Sequence, residues 1–180
     1  QPKGVKVAHY NVVNFLSSMA SCPGMQADDR LLAVTPVVFD IHVLELFLPL
    51  TVGAQLILAN ESERNDPQAL VGLMKDNRVS VMQATPATWK LLQEIHWQAA
   101  TPMKALCGGE ALGLPLAQWL SGQAFIELWN MYGPTETTVW SGVRKINADD
   151  QRVCIGGPID NTRFAVVSAQ GQLSPIGVPG

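Results

Sequence analysis

The sequence predicts an α/β fold in which a layered parallel sheet is flanked by helices and followed by a β-rich carboxyl-terminal piece. From about residue 30 onward, short apolar runs typical of buried strands alternate with segments of helical spacing. This alternation stops near residue 140, after which strand-like runs follow one another without helices between them. The 180 residues are 47% hydrophobic, which is enough to bury one substantial core.

The predicted helices are recognised by their ends and by apolar residues on one face. After Asn11, a candidate cap, apolar residues recur every three or four positions until Pro23-Gly24 closes the element. Asp66 and Thr85 are each followed by proline, which favours a helix beginning at that point. The helices are predicted at 12–19, 43–50, 67–76, 86–96 and 114–120.

The predicted strands are short apolar runs bounded by proline, glycine or polar residues. Because the first five alternate with helices, we expect them to lie parallel in one sheet. They are predicted at 31–35, 55–59, 79–83, 104–107 and 124–130. Beyond the alternating region, strands are predicted at 139–143, 154–159 and 163–167, the last turned at Gln170-Gly171.

The run 130–138, N-M-Y-G-P-T-E-T-T, is the most informative stretch because polar side chains follow a predicted buried strand. In open α/β sheets, ligands bind at the carboxyl ends of strands. Tyr132 offers a flat face to a base, Asn130 an amide to its edge, Thr135 a hydroxyl to phosphate and Glu136 an oxygen ligand to Mg²⁺. An ordinary turn with Thr135 as a helix cap is the alternative.

Asp40 lies in the apolar run V-V-F-D-I-H at 37–42, between a predicted strand and a predicted helix. An ionised carboxylate is costly in such a setting unless a cation or several donors satisfy it. The pattern alone favours a helix cap, and a cationic ligand is the functional alternative.

The pair Gly108-Gly109 follows another predicted strand. Missing side chains would let the backbone approach a purine or a sugar. A plain strand-to-helix turn explains the pair equally well.

Composition excludes several classes of partner. A net charge of −3 without a cluster of lysine or arginine argues against a nucleic-acid polymer. No apolar run reaches membrane-spanning length, so no membrane partner is expected. Cys22, Cys107 and Cys154 lack metal-ligand spacing and are expected to be reduced thiols in a cytoplasmic protein.

The run 130–136 resembles the N-x-Y-G-P-T-E motif of adenylation domains from nonribosomal peptide synthetases, in the adenylate-forming superfamily with acyl-CoA ligases and luciferases. Residues 1–5, Q-P-K-G-V, resemble the end of the family's phosphate loop. Phe39-Asp40, Gly108-Gly109-Glu110 and 175–180 follow in the family's order. The resemblance spans the whole chain and implies an internal fragment of one adenylation domain, with an α/β core at 1–140 and the start of a β-rich subdomain at 141–180.

The same resemblance implies that the start of the phosphate loop and the small carboxyl-terminal subdomain lie outside these 180 residues, so the fragment alone is expected to be inactive. The implied reaction joins an amino acid to ATP, giving an aminoacyl adenylate and pyrophosphate. ATP and Mg²⁺ are the implied cofactors, and phosphopantetheine on a partner carrier domain would accept the product. An acyl- or aryl-CoA ligase and a non-catalytic nucleotide-binding fragment are the alternatives.

The resemblance also implies roles for individual residues. Glu136, the metal ligand, Thr135 and Lys3 are the implied catalytic set. Nucleotide contacts are implied for Gly108, Gly109, Glu110, Asn130, Tyr132 and Gly133. The implied amino-acid pocket comprises Asp40, which would hold the α-ammonium group, together with Ile41, Leu44, Gln83, Leu106, Gly108, Met131, Val139 and Trp140.

This pocket lining is bulky and is similar to that of glycine-activating domains. Large side chains would leave room for little more than hydrogen on the substrate, so glycine is expected first and alanine second. A single methylene changes binding by only about 1 to 3 kcal/mol, so some activation of alanine is expected. The implied partners are the peptidyl carrier and condensation domains of a parent synthetase.

Overall fold

A computed structural model describes residues 4–179, and Lys3, expected at the phosphate site, lies outside them. The strands are β1 Arg30–Ala33, β2 Gln55–Leu58, β3 Val81–Ala84, β4 Met103–Gly108, β5 Ile126–Tyr132, β6 Gly142–Ile146 and β7 Gly157–Pro158. They form one sheet in the order β2-β1-β3-β4-β5-β6-β7. The first five strands are parallel, and β6 and β7 add to β5 in antiparallel register. The predicted fold class is confirmed.

The helices connect the parallel strands. They are α1 His9–Met19, α2 His42–Val52, α3 Glu61–Arg64, α4 Pro67–Asp76, α5 Pro86–Glu94 and α6 Leu114–Ser121. A π-helical turn at Ala20–Gly24 extends α1, and a 3₁₀ turn at Thr135–Thr137 follows β5. Within residues 4–179, no helix is long and apolar enough to cross a bilayer, and α1 and α2 have 11 residues each against the roughly 20 required.

Two apolar cores lie on opposite faces of the sheet. Successive side chains of a strand point to opposite faces, so Leu31 belongs to one core and Leu32 to the other. Helices α1 and α2 cover the first face, and α4, α5 and α6 cover the second. Large side chains such as Phe15 and Trp89 are fully buried, each contributing about 1.5 to 3 kcal/mol to folding. Helices on both faces leave only the sheet's ends free for a site.

Local details correct three expectations about the helices. Helix α1 begins after Ala8, and Asn11 lies one turn into the helix, where its side chain accepts from the Ala8 N–H at 3.2 Å. Asp66 caps α4 as predicted, accepting from the Gln68 N–H at 2.9 Å, whereas Thr85 precedes α5 without a side-chain cap bond. Helix α3 was not predicted, because its four residues are too few to show a period.

Two short strands after residue 140, β6 and β7, remain in the same sheet. Strand β6 pairs with β5 from Leu128 opposite Ile146 to Tyr132 opposite Gly142. The strand predicted to begin at 139 begins at 142 instead, because Thr138 and Val139 adopt positive φ angles that are incompatible with a strand. Of the last predicted strand, the bridge between Val167 and Leu173 is present. That 141–180 begins a β-rich subdomain stays a prediction.

Candidate active site

The carboxyl ends of four neighbouring parallel strands form one cavity of about 490 Å³. Strand β1 contributes the following loop with Asp40, and β3 contributes Thr85. Strand β4 contributes Gly109-Glu110, and β5 contributes the loop from Gly133 to Trp140. A parallel sheet brings these ends to the same edge, so residues far apart in the chain meet there.

A second cavity of about 400 Å³ adjoins the first. It is lined by Asn130 and Tyr132 and shares residues with the first cavity, namely Gly109, Glu110, Gly133, Pro134 and Trp140. Tyr132 is 45% exposed, so part of this residue is accessible to a ligand. The structure therefore brings the expected nucleotide residues beside the expected amino-acid residues, with Trp140 between them.

The Asp40 carboxylate has no hydrogen-bond or ion-pair partner among residues 4–179. Helix α2 has Ile41 at its N-cap position and no side-chain cap bond, so the cap alternative for Asp40 is wrong. The expected apolar setting is also wrong in part, because Val38 and Phe39 are 82% and 60% exposed. Asp40 itself is half-buried at the cavity wall, where its charge is available to a cation.

The loop after Tyr132 is held closed by its backbone. The Ser141 N–H donates to the Tyr132 carbonyl at 2.8 Å. A Cβ on Gly133 would lie 2.3 Å from the Val139 carbonyl oxygen, so only glycine allows the loop to fold back this closely. Thr138 and Val139 have φ angles of 69° and 64°, an uncommon conformation for a β-branched residue. Such backbone strain is concentrated at functional sites.

Thr135 and Glu136 lie on the single 3₁₀ turn of this loop. Pro134 occupies the N-cap position, so the expectation of Thr135 as a cap is wrong. Thr135 lines the cavity, and Glu136 is exposed beside it. Residues 4–179 contain no cluster of three metal-ligating side chains. A lone carboxylate still suits Mg²⁺, which is commonly held by one or two carboxylates and the substrate phosphates.

Asn130 has a structural contact that the sequence did not predict. Its amide Nδ2 donates to the Cys154 carbonyl at 2.8 Å, and only 6% of the residue is accessible. The amide thus ties the segment before β7 to the end of β5. A contact to a base edge would have to be made by the remaining surface of Asn130 at the second cavity.

Gly108, the last residue of β4, and the following Gly109 have separate roles. A Cβ on Gly108 would lie 2.6 Å from both the Met131 carbonyl oxygen and Cη2 of Trp140. Gly108 is therefore needed for the indole to lie across the strand. Gly109 has a φ of 85°, which favours glycine, and it lines both cavities.

Five of the expected pocket residues are fully or almost fully buried. They belong to one core and are Leu44, Leu106, Met131, Val139 and Trp140. Leu44 and Leu106 do not reach the surface of either cavity, so they support the pocket floor from below. The indole of Trp140 occupies the top of this group.

A buried polar network under the pocket was missed at the sequence level. The Glu45 carboxylate is inaccessible and accepts from the Val34 N–H and the Thr35 N–H, each at 2.9 Å, and from the Thr35 hydroxyl. Gln83 Nε2 donates to it at 2.9 Å, and Trp140 Nε1 donates to Gln83 Oε1 at 2.8 Å. The signal that could have revealed it is a glutamate within the apolar run 43–50.

Burial raises the pKa of Glu45, while the hydrogen bonds from Thr35, Gln83 and Val34 act in the opposite direction. A buried carboxylate with this many donors is well satisfied, because hydrogen bonds to the charged form compensate part of its desolvation.

A further cavity, of about 440 Å³, lies at the opposite ends of the strands. Its polar groups already have partners. Lys104 Nζ donates to the Gly24 carbonyl at 2.7 Å, and Lys145 pairs with Glu127 at 2.7 Å. The carboxyl-end cavities are therefore the better candidate, since they contain the unpartnered Asp40.

Comparison with known proteins agrees with this geometry. The family model "AMP-binding enzyme" matches residues 1–180. The chain is 41% identical to a dimodular nonribosomal peptide synthase of Bacillus subtilis and 38% identical to the PKS-NRPS hybrid synthetase acdB of Aspergillus candidus. Each alignment covers 100% of the chain, which spans only 8% and 7% of these two relatives.

A solved structure of a four-domain nonribosomal peptide synthetase, bound to AMP and glycine, superposes with a TM-score of 0.92 at 41% identity. The match covers 98% of this chain and 13% of that protein. The resemblance seen in the sequence is thereby confirmed, since fold and sequence agree over nearly the whole chain. The chain belongs to the AMP-binding enzyme family, within which it is similar in sequence and fold to nonribosomal peptide synthetases.

Proposed function

We propose that the parent protein activates an amino acid as its adenylate. A carboxylate oxygen of the amino acid attacks the α-phosphorus of ATP, and the bond from that phosphorus to the bridging oxygen breaks. Pyrophosphate leaves with the electron pair, and the aminoacyl adenylate remains. The observation that carries the proposal is the pair of adjoining cavities, one with the unpartnered Asp40 and the other with Tyr132.

Asp40 is assigned to the α-ammonium group of the amino acid. Asp40 and Trp140 both line the first cavity. An ion pair in this half-buried position orients the substrate and discriminates against acids without an amine, which would leave the carboxylate unpaired. The substrate carboxylate is already ionised at neutral pH, so the reaction needs no general base.

The nucleotide is assigned to the second cavity. The exposed face of Tyr132 suits stacking with a base, and the backbone at Gly109 can approach the nucleoside because no side chain intervenes. Thr135 is assigned to the phosphates together with Lys3. Mg²⁺ held by Glu136 would neutralise phosphate charge, and transfer at phosphorus depends mainly on such positioning and charge compensation.

Glycine is proposed as the first substrate and alanine as the second. The indole of Trp140 lies against Gly108 and is fully buried, which supports the proposal that it limits the room for a larger substrate side chain. The similar nonribosomal peptide synthetase that was solved bound to AMP and glycine supports glycine as the first candidate. Alanine is the runner-up because excluding one methyl depends on a small steric difference.

We also propose the partners of the reaction. A phosphopantetheine thiol on a peptidyl carrier domain would take the acyl group from the adenylate, and a condensation domain would use it. The large synthetases to which this chain is similar support such a context. Because ATP and carrier domains are cytoplasmic, we propose the same location for the parent protein.

An acyl- or aryl-CoA ligase is the competing enzyme, and Asp40 discriminates between the two. Such a ligase has no ammonium group to bind, so it has no use for an unpaired carboxylate at the pocket wall.

The test is ATP–pyrophosphate exchange by the parent protein with glycine, alanine, a bulky amino acid and an aryl acid. We expect exchange with glycine that falls at least about tenfold in Asp40→Ala, as loss of one charge partner implies. Asp149→Ala is the matched control, because that aspartate is exposed and its carboxylate has no partner among residues 4–179. Exchange with the aryl acid that is indifferent to Asp40 would favour the ligase.

A further inference from the structure

We propose that Glu45 is a positioning residue that sets amino-acid selectivity through Gln83 and Trp140. It does not touch the cavity itself. Its carboxylate acts on the pocket floor through Gln83. It acts on the loop that carries Asp40 through the residues at the end of β1. This inference rests on the proposed adenylation of an amino acid.

The carboxylate joins the end of β1 to helix α2 directly below the loop that connects them. Val34 and Thr35 directly follow β1, and their N–H groups donate to Glu45 Oε2 at 2.9 Å. The loop leaving from this point carries Asp40. Glu45 lies on α2, the helix that begins after the same loop, so the carboxylate clamps both ends of the segment that presents Asp40.

Gln83 makes the other hydrogen bonds of the network. Its Nε2 donates to the Ile41 carbonyl at 2.8 Å and to Glu45 Oε1 at 2.9 Å. Its Oε1 accepts from Trp140 Nε1 at 2.8 Å. Gln83 thus connects the residue next to Asp40 with the indole that limits the size of the pocket.

The direction of most hydrogen bonds in this network is fixed. An indole N–H can only donate, so Gln83 must turn its oxygen to Trp140 and its amide nitrogen to Ile41 and Glu45. Glu45 must therefore accept from Gln83 and from the Val34 and Thr35 N–H groups, and an ionised carboxylate also accepts from the Thr35 hydroxyl. A glutamine at position 45 would present an N–H₂ group to at least one of them.

The position of the indole has a direct consequence for selectivity. Cη2 of Trp140 lies 2.6 Å from the site of a Cβ on Gly108, so the ring already occupies the space beside the backbone. In the proposed pocket the α-carbon of the amino acid lies beside this ring, so a methyl group on that carbon would need the ring to move. Loss of the bond that Gln83 donates to Glu45 lets the amide turn away from the indole N–H and so releases the ring. Loss of the bonds that the Val34 and Thr35 N–H groups donate to Glu45 loosens the Asp40 loop. Selectivity for glycine over alanine and affinity for the amino acid should fall together.

The experiment compares Glu45→Gln with the unaltered parent protein in pyrophosphate exchange. We expect the KM for glycine to rise about tenfold or more and the preference for glycine over alanine to fall about tenfold, because a hydrogen bond to a buried charge is lost. The KM for ATP should change less than about twofold, since none of the residues that hydrogen-bond to Glu45 lines the second cavity, to which the nucleotide is assigned. The control is Glu94→Gln, which makes the same chemical change on the exposed surface of α5.

A double-mutant cycle tests whether Glu45 acts on selectivity through Gln83. If Glu45 acts on selectivity through Gln83, then Glu45→Gln should change the glycine-to-alanine preference by no more than about twofold in a Gln83→Met background. Fully additive effects on the preference would overturn the inference. An equal loss for both amino acids and for ATP would also overturn it, because that is the result of a general structural role.

Trp140→Phe provides a second variant in case Glu45→Gln does not fold. It removes the indole N–H while keeping an aromatic ring, and the preference for glycine should again fall. An unchanged preference would overturn the inference. Absence of any amino-acid-dependent exchange in the unaltered protein would overturn the proposed function and this inference together, whereas glycine exchange with unaltered selectivity in the variants would overturn this inference alone.

Discussion

The indole N–H of Trp140 donates a 2.8 Å hydrogen bond to the side-chain carbonyl of Gln83, and both side chains are completely buried. These residues are 57 positions apart in the chain, on the loop after β5 and on β3. Their bond fixes the indole that lies against Gly108, and the proposed preference for a small amino acid depends on that position.

Gly108→Ala should destabilise the protein and impair glycine activation. The new Cβ would lie 2.6 Å from the Met131 carbonyl oxygen, a backbone atom that cannot easily move. Overpacking of this kind costs about 1 to 3 kcal/mol. Thermal unfolding and glycine-dependent exchange measure the two effects.

The matched control for that substitution is Gly72→Ala. Gly72 lies inside α4 with open space around its Cα, so alanine should be neutral or stabilise by up to about 1 kcal/mol. Equal melting temperatures for the two variants would show that the contact at Gly108 is not restrictive.

Tyr132→Ala should raise the KM for ATP by about five- to a hundredfold, because stacking of a base on an aromatic ring contributes about 1 to 3 kcal/mol. Tyr132→Phe retains the ring and should change this KM far less. The residue is 45% exposed, so neither change should unfold the protein. Similar KM values for ATP in both variants would exclude stacking as the role of this ring.

Glu136→Gln should raise the Mg²⁺ concentration needed for half-maximal exchange by at least about tenfold, because an amide oxygen is a weaker ligand than a carboxylate. The residue is exposed, so stability should not change. A titration of exchange rate against Mg²⁺ measures the shift, with Glu94→Gln as the surface control. A Mg²⁺ requirement equal to that of the unaltered protein would assign the metal to other groups.

The ionisation of Cys107 should reduce stability at alkaline pH. Burial, with a smaller effect of Glu110, raises the pKa of the Cys107 thiol from 9.0 to about 12. The folded state therefore holds its proton more tightly than the unfolded state does. Its contribution to stability is complete below pH 9 and is lost as pH rises through 9 toward 12, at up to about 1.4 kcal/mol per unit.

Chemical unfolding of the unaltered protein and of Cys107→Ala between pH 8 and pH 10 isolates this contribution. Other ionisable groups are common to both proteins, so the difference between their unfolding free energies reports on the thiol. As pH rises, the unfolding free energy of the unaltered protein should fall relative to that of Cys107→Ala. A constant difference would mean that the thiol ionises alike in both states.

The strand and helix alternation could be predicted from the sequence because its signals are local. Asp66 caps α4 through a bond to Gln68, only two residues away. The polar run after β5 was likewise visible, since a strand's carboxyl end and the turn that follows it are adjacent in the chain. Because the strands are parallel, their carboxyl ends lie at the same edge of the sheet, so no long-range signal in the sequence is needed to bring them together.

Other features of the site depend on residues that meet only after folding. The contacts of Asn130 with Cys154 and of Gly108 with Trp140 join different segments, so no local period reveals them. The sequence also failed to show that Val38 and Phe39, the apolar residues before Asp40, face solvent. Their exposure depends on the tertiary structure and not on a local pattern.

The sequence by itself determined the fold class, the order of the elements and the segments that meet at the site, because local propensity and the alternation of strand and helix specify them. Only the tertiary structure decided how Glu45, Gln83 and Trp140 share their hydrogen bonds. The physical reason is that a buried donor must find an acceptor wherever the fold brings one, and that acceptor is distant in the chain.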